Sequence, residues 1–219
     1  MPNFALAFLD CEFGGLDPER HDITEIGVIV TDYRLAELAS AEWKVLARPE
    51  RITAEAAAIF GYDAERWARE GVPVRRALSE LAALLPGGHT VIAAGQNVRM
   101  DLLFLEKGYR ACQLPSPFDY HVIDLATLFY SWSLLAGEQL SALSLRQAAS
   151  RAGLARSGTE HHALEDARLT LETFRHFIGR LALRRPPEEG AAAPLPEAAA
   201  APLPVAPIAA GPVGAVDPS

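Results

Sequence analysis

Cysteine is scarce in this chain: Cys11 and Cys112 are the only two among 219 residues, which excludes a disulfide framework. Long apolar runs are also missing, so no segment has the roughly 20 apolar residues that a bilayer-spanning helix needs. The opening Met-Pro-Asn-Phe puts no basic group ahead of the short apolar stretch at residues 5–9, so no signal peptide is expected and a cytoplasmic protein is. Positive charge is in short supply: 20 Lys and Arg face 28 Asp and Glu, for a net charge of −8. That balance excludes a protein that holds long duplex DNA by a broad basic surface. Half of the deficit belongs to residues 186–219, where Glu188, Glu189, Glu197 and Asp217 meet no Lys or Arg. No internal repeat is visible.

What is present divides at Arg184-Arg185-Pro186-Pro187. Beyond it the sequence is almost entirely Ala, Pro, Gly and Val, where prolines remove backbone donors and alanine offers little to bury. Residues 186–219 therefore read as a disordered tail, either a tether with polyproline character or a docking segment for a protein partner. Residues 1–185 form the domain. Phe4 to Leu9 suit a buried strand ending at Asp10, and residues 23–32 a second, β-branched one. Residues 41–47 read as a third strand, 90–94 as a fourth and 122–125 as a fifth. Helices are expected over 53–69 with Thr53 as N-cap, over 73–85 with Pro73 in the first turn, and from about Asn97 to Lys107, ended by Gly108. Two more are expected at 141–152 and 161–182. Three strands followed by alternating strands and helices give a mixed α/β sheet.

Three local patterns carry chemistry. In Phe8-Leu9-Asp10-Cys11-Glu12 the strand period of two projects Asp10 and Glu12 together and turns Cys11 away, as a buried structural thiol. In Asn97-Val98-Arg99-Met100-Asp101 an acid sits at the start of an otherwise apolar helical stripe. In His161-His162-Ala163-Leu164-Glu165-Asp166 two imidazoles precede an acid on an amphipathic helix. Each pattern alone fits an ordinary solvated carboxylate. Brought together, four carboxylates in one cleft would carry a charge that a partly dry site cannot hold without cations. An all-oxygen set suits hard ions, Mg²⁺ or Mn²⁺, and two divalent ions would balance it.

Asp-x-Glu, Asn-x-x-x-Asp and His-x-Ala-x-x-Asp, in this order and spacing, resemble the DEDDh (DnaQ-like) exonuclease superfamily, over about residues 4–180. That group includes polymerase proofreading subunits, ribonuclease T and oligoribonuclease. The resemblance implies a ribonuclease H-like fold, a five-stranded mixed sheet flanked by helices. It implies Asp10, Glu12, Asp101 and Asp166 as ligands of two Mg²⁺ or Mn²⁺ ions and His161 as general base. The family spacing places the base five residues before the last Asp, so His162 is expected to be a helix-start residue. The implied reaction is 3′→5′ hydrolysis of single-stranded ends to nucleoside 5′-monophosphates.

Substrate contacts follow in the same way. Where many relatives have threonine and then Gly-Leu after the Glu, this chain has Phe13-Gly14-Gly15-Leu16. Leu16 is expected to wedge against terminal bases, Gly14 to admit the backbone closely, and Asn97 to contact substrate. Phe13 either stacks on a base or packs in the core. Arg146, Arg151 and Arg156 precede the last motif and could hold phosphates or form a solvated helix face. Residues 10–32 are similar to oligoribonuclease, whereas residues 95–105 are closer to proofreading exonucleases. The expected partner is a single-stranded RNA or DNA 3′ end, with no membrane; a polymerase could engage the tail, and a homodimer is compatible. The rival classes are a binding module without catalysis and an endonuclease on the same fold. All five expected catalytic positions are filled, and the His-x-Ala-x-x-Asp block disfavours the endonuclease.

Overall fold

The computed structural model describes residues 4–158 and 161–182; the expected tail at 186–219 lies outside the described residues. Five strands form one mixed sheet: β1 (Phe4–Phe13), β2 (Ile23–Asp32), β3 (Glu37–Lys44), β4 (Thr90–Gly95) and β5 (Val122–Asp124), in the spatial order β3-β2-β1-β4-β5. β1 runs antiparallel to β2 and parallel to β4, so the central strand links a meander to a parallel half. The fold is the expected α/β sheet with helices on its faces.

Alternation along β1 decides which helices cover which face. Ala7, Leu9 and Cys11 pack with Leu78 and Leu81 of α3 (Val74–Leu84) and with Phe104 and Leu105 of α4 (Arg99–Ala111). Leu6 and Phe8 pack with Phe129 of α5 (Leu125–Ala136) and with Leu171, Phe174 and Phe177 of α7 (Ala163–Ala182). Leu145 and Ala148 of α6 (Leu145–Arg151) join that second cluster. Among the described residues no helix is long and apolar enough to cross a membrane.

Several elements differ from expectation for local reasons. The helix expected over 53–69 is two, α1 (Ala54–Ile59) and α2 (Ala64–Glu70). Gly61 adopts a positive φ of 63° after α1, and Asp63 then caps α2 by accepting the Arg66 N–H at 2.7 Å. Thr53 caps α1 as expected, accepting the Ala56 N–H at 3.1 Å. α4 does not stop at Gly108 but continues through it to Ala111. A side chain at Gly108 would meet Leu78 of α3 at 3.0 Å, so this glycine serves close helix packing and not termination. β3 begins and ends earlier than residues 41–47, because Asp32 Oδ1 accepts the N–H groups of Arg34 and Ala36 and turns the chain back early. α5 was not anticipated at all. Its sequence is apolar on nearly every side, so no 3.6-residue polar stripe marks it.

Candidate active site

The site gathers at the carboxyl ends of the parallel strands β1 and β4, where an open α/β sheet offers a crevice. β4 pairs with β1 only from Phe4 to Phe8. Beyond that point the Cys11 N–H has lost its strand partner, and Asp101 takes its place: Oδ1 accepts that N–H at 2.8 Å. One buried hydrogen bond thus seats the first turn of α4 on the end of β1. The Cys11 side chain is buried, as expected, and turned from the Asp10 and Glu12 side, but it lies beside Asp101. Burial, then the Asp101 charge, pushes its thiol up.

Glu12 and Asp10 project toward α7 from the other face of β1. Asp10 lies opposite Gly27 of β2, and Gly27 opposite Glu42 of β3. The missing side chain at Gly27 is what admits α7: a Cβ there would lie 2.2 Å from the Ala163 carbonyl carbon and from the Leu164 nitrogen. The helix start is then fastened by two strand carboxylates. Glu25 accepts the Ala163 N–H at 2.9 Å and Glu42 the Leu164 N–H at 3.2 Å, which satisfies orphan donors of the first turn. Glu25 is fully buried and Lys44 Nζ stands 3.4 Å from it. These two glutamates act as caps supplied from another part of the chain, and no local sequence signal marks them.

α7 in turn sets Asp166 and, just ahead of its first turn, His161. His161 Nδ1 lies 3.5 Å from Asp166 Oδ2 and 3.9 Å from Glu12 Oε1. Its backbone N–H donates to the Ile59 carbonyl at 3.1 Å, tying the segment to α1. Among the described residues, Glu12, His161 and Asp166 form one group whose ligand atoms lie within 4.8 Å of one another. Asp10 and Asp101 act electrostatically on the same cluster. Burial and then the charges of Asp101, Glu12 and Asp166 push the Asp10 carboxyl well up. Burial, then Asp166 and Glu25, raises Glu12 to about 8, and burial raises Asp101 to about 8. Asp166 is also raised by burial, against the pull of Arg156. His161 is lowered, by burial and then by the Arg156 charge, so at neutral pH the ring is free to accept a proton.

Crowded carboxylates that hold their protons this strongly are a set that divalent cations would relieve. The oxygen-rich donors with one imidazole fit Mg²⁺ or Mn²⁺, and Asp10, Glu12, Asp101 and Asp166 are the residues that could hold them. His162 faces elsewhere, lining a depression with Glu42, Lys44, Arg66 and Arg168.

The remaining expected residues separate. A cleft of 450 Å³ opens beside Glu12, lined by Leu16, Phe13, Thr53, Ile59 and Phe60. Leu16 is 82% exposed there. Phe13 stacks on Phe104 with ring centroids 4.0 Å apart, so one face is committed to the core while the ring also lines the cleft. The space that Gly14 leaves is taken by the chain itself: a Cβ there would meet the Arg51 carbonyl oxygen at 2.1 Å. Asn97 is exposed, with a φ of 56°, in the turn that leads from β4 into α4. The Val98 N–H that follows donates to Asp124 Oδ2 at 3.1 Å. The three arginines do not form one cluster. Arg151 pairs with Glu138, Arg156 lies on Asp166, and Arg146 lines a second cleft that reaches His161. Nothing in the sequence marks Thr53, beyond its role as a helix cap, or Ile59 as a site residue, because only the return of α1 beside residues 12–16 makes them neighbours of the site.

Comparison with known proteins follows the same lines. A family model described as "Exonuclease" matches residues 7–174. The oligoribonuclease of Sodalis glossinidius is 30% identical over 188 residues, covering 78% of this chain and 92% of its own. That of Aliivibrio fischeri is 28% identical over 185 residues, with the same coverage of 78% and 92%. Among solved structures, the zinc-bound complex of E. coli exonuclease I with single-stranded DNA superposes with a TM-score of 0.67 at 16% identity, over 83% of this chain and 42% of that one. Exonuclease I from Methylocaldum szegediense gives 0.59 at 21% identity, over 81% and 43%. This chain spans less than half the length of those solved chains, and the likeness to them is one of fold.

Proposed function

The chain belongs to the exonuclease family, and from that premise we propose that it is a metal-dependent 3′→5′ exonuclease on short single-stranded nucleic acid, releasing nucleoside 5′-monophosphates. The observation that carries the reading is the convergence of Glu12 of β1 with His161 and Asp166 at the start of α7, within 4.8 Å and beside Asp10 and Asp101. RNA is the first substrate to test, because the curated relatives at 28–30% identity are oligoribonucleases.

Two Mg²⁺ or Mn²⁺ ions, when bound, supply positive charge to the entering and departing oxygens of an in-line displacement at phosphorus. Asp10, Glu12, Asp101 and Asp166 are the residues that would hold them. His161 accepts the proton of the attacking water at a ring nitrogen; its lowered pKa keeps that nitrogen unprotonated at neutral pH. Asp101 is fixed by the Cys11 amide, and Asp166 by a helix start fastened to β2 and β3, so little reorganisation is required of either carboxylate. Leu16, exposed in the cleft beside Glu12, is the apolar side chain that separates the last bases, and Ile59 and Thr53 line the same cleft.

The test is a digestion series on 5′-labelled single-stranded RNA, single-stranded DNA, mismatched duplex and dinucleotides with Mg²⁺ or Mn²⁺. Stepwise shortening from the 3′ end is expected, lost in Asp101→Ala. Binding without hydrolysis would identify a non-catalytic module, and internal cuts or an active Asp101→Ala would remove the mechanism.

A further inference from the structure

Arg156 is the one feature at the site that the proposed reaction leaves without a task. Its Nε donates to Asp166 Oδ1 at 2.7 Å and its Nη2 to Oδ2 at 2.6 Å, so a single guanidinium engages both oxygens of the carboxylate. The same Nη2 lies 3.5 Å from His161 Nδ1, inside the group formed by Glu12, His161 and Asp166. The Asp166 side chain is 2% exposed and that of Arg156 21%, so water screens the pair weakly. A planar fork on a carboxylate is the strongest geometry such a pair can adopt.

We propose that Arg156 is a built-in counterion that competes with a divalent cation for Asp166. This rests on the reading of Asp166 as a metal ligand. The oxygens that a cation at Asp166 would coordinate are those the guanidinium engages. Two like charges cannot share them without repulsion, and a metal ligand needs the lone pairs that the fork now occupies. Arg156 has somewhere to go: it lines a cleft of 770 Å³ together with Arg146, Ser150 and Gly158. The arginine therefore keeps the acidic cluster tolerable to the folded chain while lowering its affinity for metal.

Isothermal titration with Mn²⁺ alone, on the full chain, tests this in wild type, Arg156→Gln and Arg156→Lys. The expected result is binding about 10- to 100-fold tighter in Arg156→Gln, the range by which groups contacting metal ligands tune affinity. Arg156→Lys, which keeps the charge without the fork, should fall between. Without metal, Arg156→Gln should melt below wild type, since Asp166 stays buried without its cation, and its melting temperature should rise more on adding Mn²⁺. Should Arg156→Gln fail to fold, the lysine variant provides the same comparison. Equal or weaker Mn²⁺ binding in the variants overturns the competition while leaving the metal reading intact. A wild type and variants that bind no Mn²⁺ at all would overturn both.

Discussion

Replacing Gly27 by alanine tests how the sheet positions α7 and the His161–Asp166 pair at its start. The added Cβ would stand 2.2 Å from the backbone of Ala163 and Leu164, neither of which is a flexible side-chain end. Ordinary van der Waals contact begins near 3.4 Å, so the start of α7 must retreat by about 1.2 Å. That movement stretches the Glu25 and Glu42 bonds to Ala163 and Leu164, now 2.9 and 3.2 Å, beyond hydrogen-bonding range. Overpacking of this kind costs about 1–3 kcal/mol, and each lost bond to a charged acceptor about 1.5–3 kcal/mol where the site cannot relax. His161 and Asp166 travel with the helix, and a misplacement of about 1 Å costs on the order of 100-fold in turnover. The measurement is kcat at saturating Mn²⁺ together with the calorimetric melting temperature. Gly179→Ala is the control on the same helix, since nothing lies within 4 Å of its Cβ position. That variant should gain about 0.5–1 kcal/mol from helix propensity and keep its activity. If Gly27→Ala melts and turns over like wild type, the close seating of α7 on β2 is not what aligns the site.

The other predictions concern charge and recognition. Glu12 titrates at about 8 in the folded, metal-free protein against an ordinary 4.5, so the folded state binds the extra proton, and the stability it contributes is complete below pH 4.5 and lost as pH rises through 8. Mn²⁺ displaces that proton, so its effect on melting temperature should be small at pH 5 and grow toward pH 8; a pH-independent shift would contradict the assignment of Glu12. Glu25→Ala leaves Lys44 without its carboxylate partner and α7 without one of its two caps, for a loss of about 3–5 kcal/mol in chemical denaturation. Glu25→Gln retains the acceptor and should lose less, and equal losses would show that the cap contributes nothing. Leu16→Ala removes a side chain that is 82% exposed, so the melting temperature should hold. Its kcat/KM on short RNA should drop about 5- to 30-fold, the equivalent of 1–2 kcal/mol of apolar contact, and an unchanged value would place Leu16 outside the substrate path.

Much of the architecture could be read from periodicity. The apolar run ending at Asp10 and the β-branched run after residue 23 are the buried centre of the sheet, because a strand covered on both faces has no choice but a continuous apolar sequence. Leu171, Phe174 and Phe177 recur at helical spacing, and α7 buries them against Phe8 and Phe129. α5 escaped for the converse reason: its apolar residues lie on every side, and Tyr130, Leu134 and Leu135 remain exposed although the same residue types usually mark a core. Gly108 and Gly14 read as a stop and as a point of substrate approach, yet each is a glycine because another part of the chain occupies its Cβ space. Contacts of that kind join residues far apart in the chain and leave no local trace.

The sequence by itself determined that Asp10 and Glu12 share a side, since the strand period of two is a covalent fact of an extended backbone. It also determined that acids stand in the first turns of α4 and α7, where helix dipoles favour them. Only the tertiary structure decided that these acids meet. Asp101 reaches Cys11 because β4 ends its pairing early, and Asp166 reaches Glu12 because Gly27 lets α7 lie on the sheet. The placement of Arg156 on Asp166 belongs to the same class: a charge whose partner lies ten residues away in sequence is chosen by the fold and not by local pattern.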